Sequence, residues 1–239
     1  MLGGPVGNLL NAVIADVSWI TPNGLTWLSL VCKLAAVPLL LCGSWSADLA
    51  VIVLFQLHTV LDCMDGSLAR YRKRPSAMGA FLDKTTDMIG LLGIMSALGW
   101  RAFRDTGDAR ALLVALLIAG GTLLRFYVYW VVMHLEREAK VAAQSVGDKR
   151  FDYSTMTAKQ RAVLYVKSMW KVVFFSEADF YFWFSLGLAL GKNREMIFFI
   201  GAVNAVWLVA ILGRRYWAVH QLDARSRKAA DAAEASGRE

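Results

Sequence analysis

Six stretches of this chain are long and apolar enough, or nearly so, to cross a lipid bilayer, and they decide what it can fold into. They run roughly over 25–43, 48–70, 79–99, 111–134, 177–191 and 195–217. A helix satisfies its backbone hydrogen bonds internally, which is what lipid demands of a spanning segment. The expected fold class is all-α, an integral membrane bundle of six transmembrane helices. The fifth stretch is short and is expected to begin earlier, near Val172. Ahead of the bundle, Val6, Leu9, Leu10, Val13, Ile14 and Val17 recur at helical spacing. They predict an N-terminal amphipathic helix lying on the membrane surface. Thr21-Pro22-Asn23 ends it, because proline disfavours helix in the residue before it.

The domain plan follows. Residues 1–22 form the juxtamembrane segment and 23–223 the six-helix unit, with a long polar segment at 135–176. Within that segment Val163, Leu164, Val166, Met169, Trp170 and Val173 suggest a second surface helix. The tail 224–239 is rich in Ala, Arg and Glu, has no apolar face, and is expected to be loosely ordered.

Lys and Arg set the orientation. With both termini inside, the inner side carries 18 of the 26 basic residues and the outer loops only 5. An integral inner or cell membrane protein is expected, multi-pass, with both termini at the cytoplasmic side. The formal charge of +7 is mostly this excess. It suits anionic headgroups, not nucleic acid. The first residues lack a basic region before an apolar stretch, so no signal peptide is expected. Cys32, Cys42 and Cys63 have no paired spacing and read as packing residues. Gly187-Leu-Ala-Leu-Gly191 matches a common helix-packing pattern and carries little weight.

Against this apolar background stand four carboxylates, Asp62, Asp65, Asp83 and Asp87. Acidic groups at membrane depth are expensive and mark function. The members of each pair are three or four residues apart and share a helix face. The link 71–78 is short, so the second and third spans are antiparallel neighbours and the pairs meet. The helical rise puts Asp62 and Asp87 each about 12 Å in from Arg70 and Gly79. Facing carboxylate pairs suit hard divalent cations. Spacing alone leaves open an ion or proton pathway as well as catalysis.

The full pattern is Asp62-x-x-Asp65-Gly66-x-x-Ala69-Arg70-x8-Gly79-x3-Asp83-x3-Asp87. It resembles the signature of the CDP-alcohol phosphotransferase family at all eight fixed positions. Pro22-Asn23-x-Leu25-Thr26 also resembles the opening of many members. The resemblance implies a membrane enzyme that cleaves the pyrophosphate of a CDP-linked alcohol, transfers the phosphoryl-alcohol part to an acceptor hydroxyl and releases CMP. It implies two ions, Mg²⁺ or Mn²⁺, held by Asp62, Asp65 and Asp83. Asp87 would join the metal site or act as general base. Asp62, Asp65, Gly66, Ala69, Arg70 and Gly79 would line the CDP pocket. A homodimer is expected on the same ground.

The leading expectation is a phosphatidyl transfer from CDP-diacylglycerol. A transferase of the choline/ethanolamine type, with diacylglycerol as acceptor, is the alternative; a divalent-cation transporter or channel is the competing class. Gly79-Ala80-Phe81-Leu82-Asp83 most resembles inositol-phosphate-using members, which points to a polyol phosphate acceptor. Arg125 lies about 14 Å deep in span four. It is expected to bind an acceptor phosphate or to pair with a carboxylate. Lys84, Lys167 and Lys171 are further acceptor candidates, with ion pairing or headgroup contact as the plainer roles. Lys33 has no evident partner in the sequence and reads as half of a structural ion pair. His58 reads as a satisfied helix histidine.

Overall fold

The computed structural model describes residues 7, 10, 11, 13, 14, 16–72, 76–143 and 177–236. Among them the fold is all-helical. It comprises α1 (Pro22–Cys42), α2 (Trp45–Tyr71), α3 (Ala77–Thr106), α4 (Arg110–Ala143), α5 (Glu177–Ala189) and α6 (Asn193–Ser236). Segments within α1, α2, α4 and α6 are long and apolar enough to cross a membrane. At 30 residues, or about 45 Å, α3 has the length as well. Its charges, Asp83, Lys84, Asp87, Arg101, Arg104 and Asp105, dilute its apolar character. The described part of α5 is short; residues before Glu177, including Lys167, Lys171 and the expected second surface helix, lie outside the described set.

Local chemistry fixes the helix ends. Thr21 caps α1 by accepting from Gly24 N at 3.1 Å, with Pro22 opening the helix. Ser44 and Ser76 cap α2 and α3 in the same way, accepting from Ala47 N and Gly79 N. Gly43 and Gly107, at φ 73° and 71°, stop α1 and α3 in the left-handed conformation that glycine adopts without strain. The Gly187–Gly191 pair serves the α5–α6 corner. Gly191 is left-handed at φ 64°, and a side chain at Gly187 would meet Met196 at 2.8 Å.

α1 packs on α2 and α3, α4 on α3 and α6, and α5 on α2 and α6. One apolar core, including Leu40, Phe55, Leu98, Ile118, Phe184 and Ile197, fills the half of the bundle remote from the motif. A smaller cluster of Leu25, Cys32, Leu61, Met64 and Leu68 joins α1 to α2 beside the motif. Val53, Leu116, Leu117, Val206 and Val209 point outward, as lipid-facing side chains do. The described N-terminal residues lean on α2. Asn11 Nδ2 donates to Met64 O at 2.9 Å and to Ser67 Oγ, while Arg72 donates to Ile20 O and Val17 O.

At the end remote from the motif, ion pairs tie the helices together. Arg101 on α3 forms a two-pronged, buried ion pair with Asp48 on α2, and Arg104 donates to Leu41 O. Asp108, between α3 and α4, accepts from Arg110 and from Arg194 on α6. Those hydrogen bonds hold its carboxyl well below the usual carboxylate range. α6 continues helically to Ser236, past the point where a loose tail was expected. Ala, Arg, Glu and Lys are strong helix formers even without an apolar face.

Removing one partner of the buried Asp48–Arg101 pair strands the other. Asp48→Ala is expected to destabilise the detergent-solubilised protein by about 3 kcal/mol. Asp48→Leu combined with Arg101→Leu should recover most of the lost melting temperature.

Candidate active site

Three helices converge on the acidic motif. α1 and α3 run inward from the motif end, and α2 runs back toward it. Asp62 lies about 14 Å from the end of α2, Asp87 about 15 Å from the start of α3, and Lys33 about 16 Å from the start of α1. Three residues from three helices therefore meet at one depth. Nearer the mouth, Thr26, Asp65 and Asp83 form a second level some 6–9 Å in.

The carboxylates of Asp62, Asp83 and Asp87 bring one oxygen each to within 4.8 Å of one another. All three are half-buried. A divalent ion with oxygen ligands at about 2.0–2.6 Å could bridge such a group. Asp65 stands apart from that trio. Its carboxylate accepts from Thr26 Oγ1 on α1 at 2.6 Å and from the Gly66 N–H. That fixes its direction and satisfies part of its hydrogen-bonding capacity, as outer partners of a metal-ligating carboxylate do.

Two ammonium groups enter the cluster. Lys33 Nζ, fully buried, is 3.0 Å from Asp87 Oδ1. Lys84 Nζ, 41% exposed, is 2.9 Å from Asp83 Oδ2 and 3.9 Å from Asp87 Oδ2. It also lies over the Phe126 ring of α4. Lys33, which has no evident partner in the sequence, thus finds one in the motif. Its signal was present all the same. Thr26, Ser29 and Lys33 are spaced three and four apart, a polar stripe on one face of an otherwise apolar helix.

The small residues border this well. Arg70 folds back so that a side chain at Gly66 would meet its Nη1 at 3.3 Å. Gly79 lies against Asn23 of α1. Ala69 is half-buried. His58, one turn from Asp62, shares a 2.6 Å hydrogen bond with Ser29 Oγ and meets Tyr181 edge-on. It is a satisfied helix histidine. Arg125, half-buried on α4, places its guanidinium over the Phe180 ring of α5, 6.0 Å from the centroid.

The profile of the family described as CDP-alcohol phosphatidyltransferase matches residues 19–191, which contain all three converging helices. The chain is also similar to the "Inner membrane protein YnjF" of Escherichia coli (strain K12). The two are 41% identical over 76 residues, 32% of this chain and 35% of that relative. The matched part of this chain thus spans about a third of the relative's length. With an all-helical membrane bundle around an acidic cluster at the motif positions, the family match settles membership: this chain is an integral membrane protein of the CDP-alcohol phosphatidyltransferase family.

Proposed function

We propose that the protein transfers a phosphatidyl group from CDP-diacylglycerol to the hydroxyl of a polyol phosphate, releasing CMP. Membership in a transferase family favours an enzyme over a cation pathway. The observation that carries the reading is the trio Asp62, Asp83 and Asp87, brought within 4.8 Å by helices that meet only in the folded chain. The carboxylate-only donor set suits Mg²⁺ or Mn²⁺. Asp62, Asp65 and Asp83 would hold the ions, with Asp87 as a further ligand or as base. Bound there, two ions would polarise the lipid-side phosphorus and neutralise the departing CMP.

The chain's own groups supply the rest. Asp87 sits deepest of the motif carboxylates on α3, where an acceptor hydroxyl would pass it its proton. The acceptor oxygen forms the new bond to the lipid-side phosphorus. The bond from that phosphorus to the CMP oxygen breaks, and CMP leaves with the electron pair. Gly66, Ala69 and Gly79 leave room for the cytidine and its phosphates, and Arg70 is placed to bind phosphate. The charge bias supports a motif end, and a donor, at the cytoplasmic side. Lys84 at Asp83, and Arg125 at a similar depth along α4, support a phosphorylated acceptor. Lys167 and Lys171, proposed with them, lie outside the described residues. A homodimer belongs to the same proposal.

The direct test is release of CMP from radiolabelled CDP-diacylglycerol against a panel of polyols, polyol phosphates, serine and diacylglycerol. Product is expected only with a polyol phosphate and only with Mg²⁺ or Mn²⁺. Activity that survives EDTA would reject the metal reading, and no CMP with any acceptor, alongside transfer from CDP-choline or CDP-ethanolamine to diacylglycerol, would reject the proposed donor. Asp87→Asn should fold, insert in the membrane and lose at least about a hundredfold in turnover. Arg125→Ala should raise the acceptor's KM about tenfold or more with little change in turnover. An unchanged KM with loss of folded protein would assign Arg125 to packing.

A further inference from the structure

Lys33 is the largest fully buried charged side chain among the described residues, with no exposed surface at all. An ammonium at this depth requires compensation. A purely structural pair could sit anywhere between α1 and α3, as Asp48 and Arg101 do between α2 and α3. This one instead falls on Asp87, a member of the carboxylate trio.

α3 is shaped to receive it. A Cβ at Gly90 would lie 2.4 Å from Lys33 Cδ and 2.9 Å from its Cε. The lysine stem therefore runs through the space that any other residue at 90 would fill. Gly90 is three residues beyond Asp87 on the same face, so the stem that crosses Gly90 delivers Nζ to Asp87 Oδ1 at 3.0 Å. Lys84 differs. It is 41% exposed and can swing away as an ion or substrate enters. Lys33 has nowhere to go.

We propose that Lys33 is a positioning residue of the phosphotransfer site. It is a built-in cation that pins one oxygen of Asp87 and keeps the carboxylates together in the absence of divalent ions. The inference rests on the metal-dependent reading above. Asp87 is thereby left with Oδ2 turned toward the more exposed Lys84, whose Nζ is 3.9 Å away. The pin would fix Asp87 toward the acceptor hydroxyl; Lys33 itself would touch neither substrate.

The test uses full-length Lys33→Met in detergent, a side chain of similar length without charge. Thermal unfolding is followed in EDTA and in Mn²⁺, with turnover and KM measured at saturating metal. The variant should melt lower than wild type in EDTA and recover most of that loss in Mn²⁺, giving a larger metal-induced shift than wild type. Turnover should fall about tenfold to a hundredfold, the usual effect of removing an outer-shell partner, with donor KM within about twofold. Equal losses of melting temperature with and without Mn²⁺, or retained turnover, would overturn the proposal.

If Lys33→Met does not fold by itself, the pair is decided by Asp87→Asn and Lys33→Met/Asp87→Asn in EDTA. Asp87→Asn strands the buried ammonium. Adding Lys33→Met should raise the melting temperature; a further decrease would sink the idea. A wild-type protein that Mn²⁺ neither stabilises nor activates would instead reject the metal reading, and the EDTA comparison would still judge Lys33.

Discussion

Like charges held close together inside an apolar bundle repel strongly, because neither water nor salt screens them well there. Asp62, Asp83 and Asp87 are held in that condition by the packing of α1, α2 and α3. The same packing supplies what makes it tolerable: Lys33 on Asp87, Lys84 on Asp83, and the Thr26 hydroxyl with the Gly66 amide on Asp65. The larger apolar core lies in the remote half of the bundle, and only a smaller apolar cluster borders the motif. Stability and function are thus divided along the helices. The Asp48–Arg101 and Asp108–Arg194 ties belong to the first end and the acidic cluster to the second.

The contrast between the ends is informative. At the remote end the buried Asp48 meets Arg101 in two-pronged geometry, which occupies both carboxylate oxygens. At the motif end lysines are used, each reaching its carboxylates as a point charge. Arginine at position 33 would not fit, because the stem occupies the space opened by Gly90 and a planar guanidinium is larger.

Much of this was legible in the sequence because it depends on local rules. The apolar stretches gave the helices, and Thr21-Pro22-Asn23 the break ahead of α1. The short 71–78 link made α2 and α3 antiparallel, and Asp62 does meet Asp83 and Asp87, but each of the two helices packs on α1 and not closely on the other. The role of α1 was not legible in that way. Nothing local says which neighbour its polar face will meet, so Lys33 had no partner until α1 was seen against α3. Thr26, Ser29 and Lys33 nevertheless share one face, and a polar stripe in an apolar span is a sign of an occupied interior. The Gly187–Gly191 pattern carried little weight in the sequence, and the left-handed Gly191 and the closeness of Met196 to Gly187 identify its place at the corner. The tail misled because lack of an apolar face argues against packing, not against helix.

Charge at the site bears on the proposed chemistry. The four motif carboxylates, with Lys33 and Lys84 against them, leave two negative charges over if all are ionised. Two divalent ions alone would overshoot that surplus by two positive charges. A diester pyrophosphate, such as the one in a CDP-linked lipid, carries two negative charges and brings the site to neutrality. Among these carboxylates and lysines, charge would be balanced when two ions and the proposed donor are bound together. With metal alone the site would attract the pyrophosphate of the proposed donor. Without Lys33 the surplus would be three, and the same ions and donor would leave the site negative, which weakens its hold on an anionic acceptor. On this reading the lysine of α1 belongs to the charge design of the site as much as the carboxylates do.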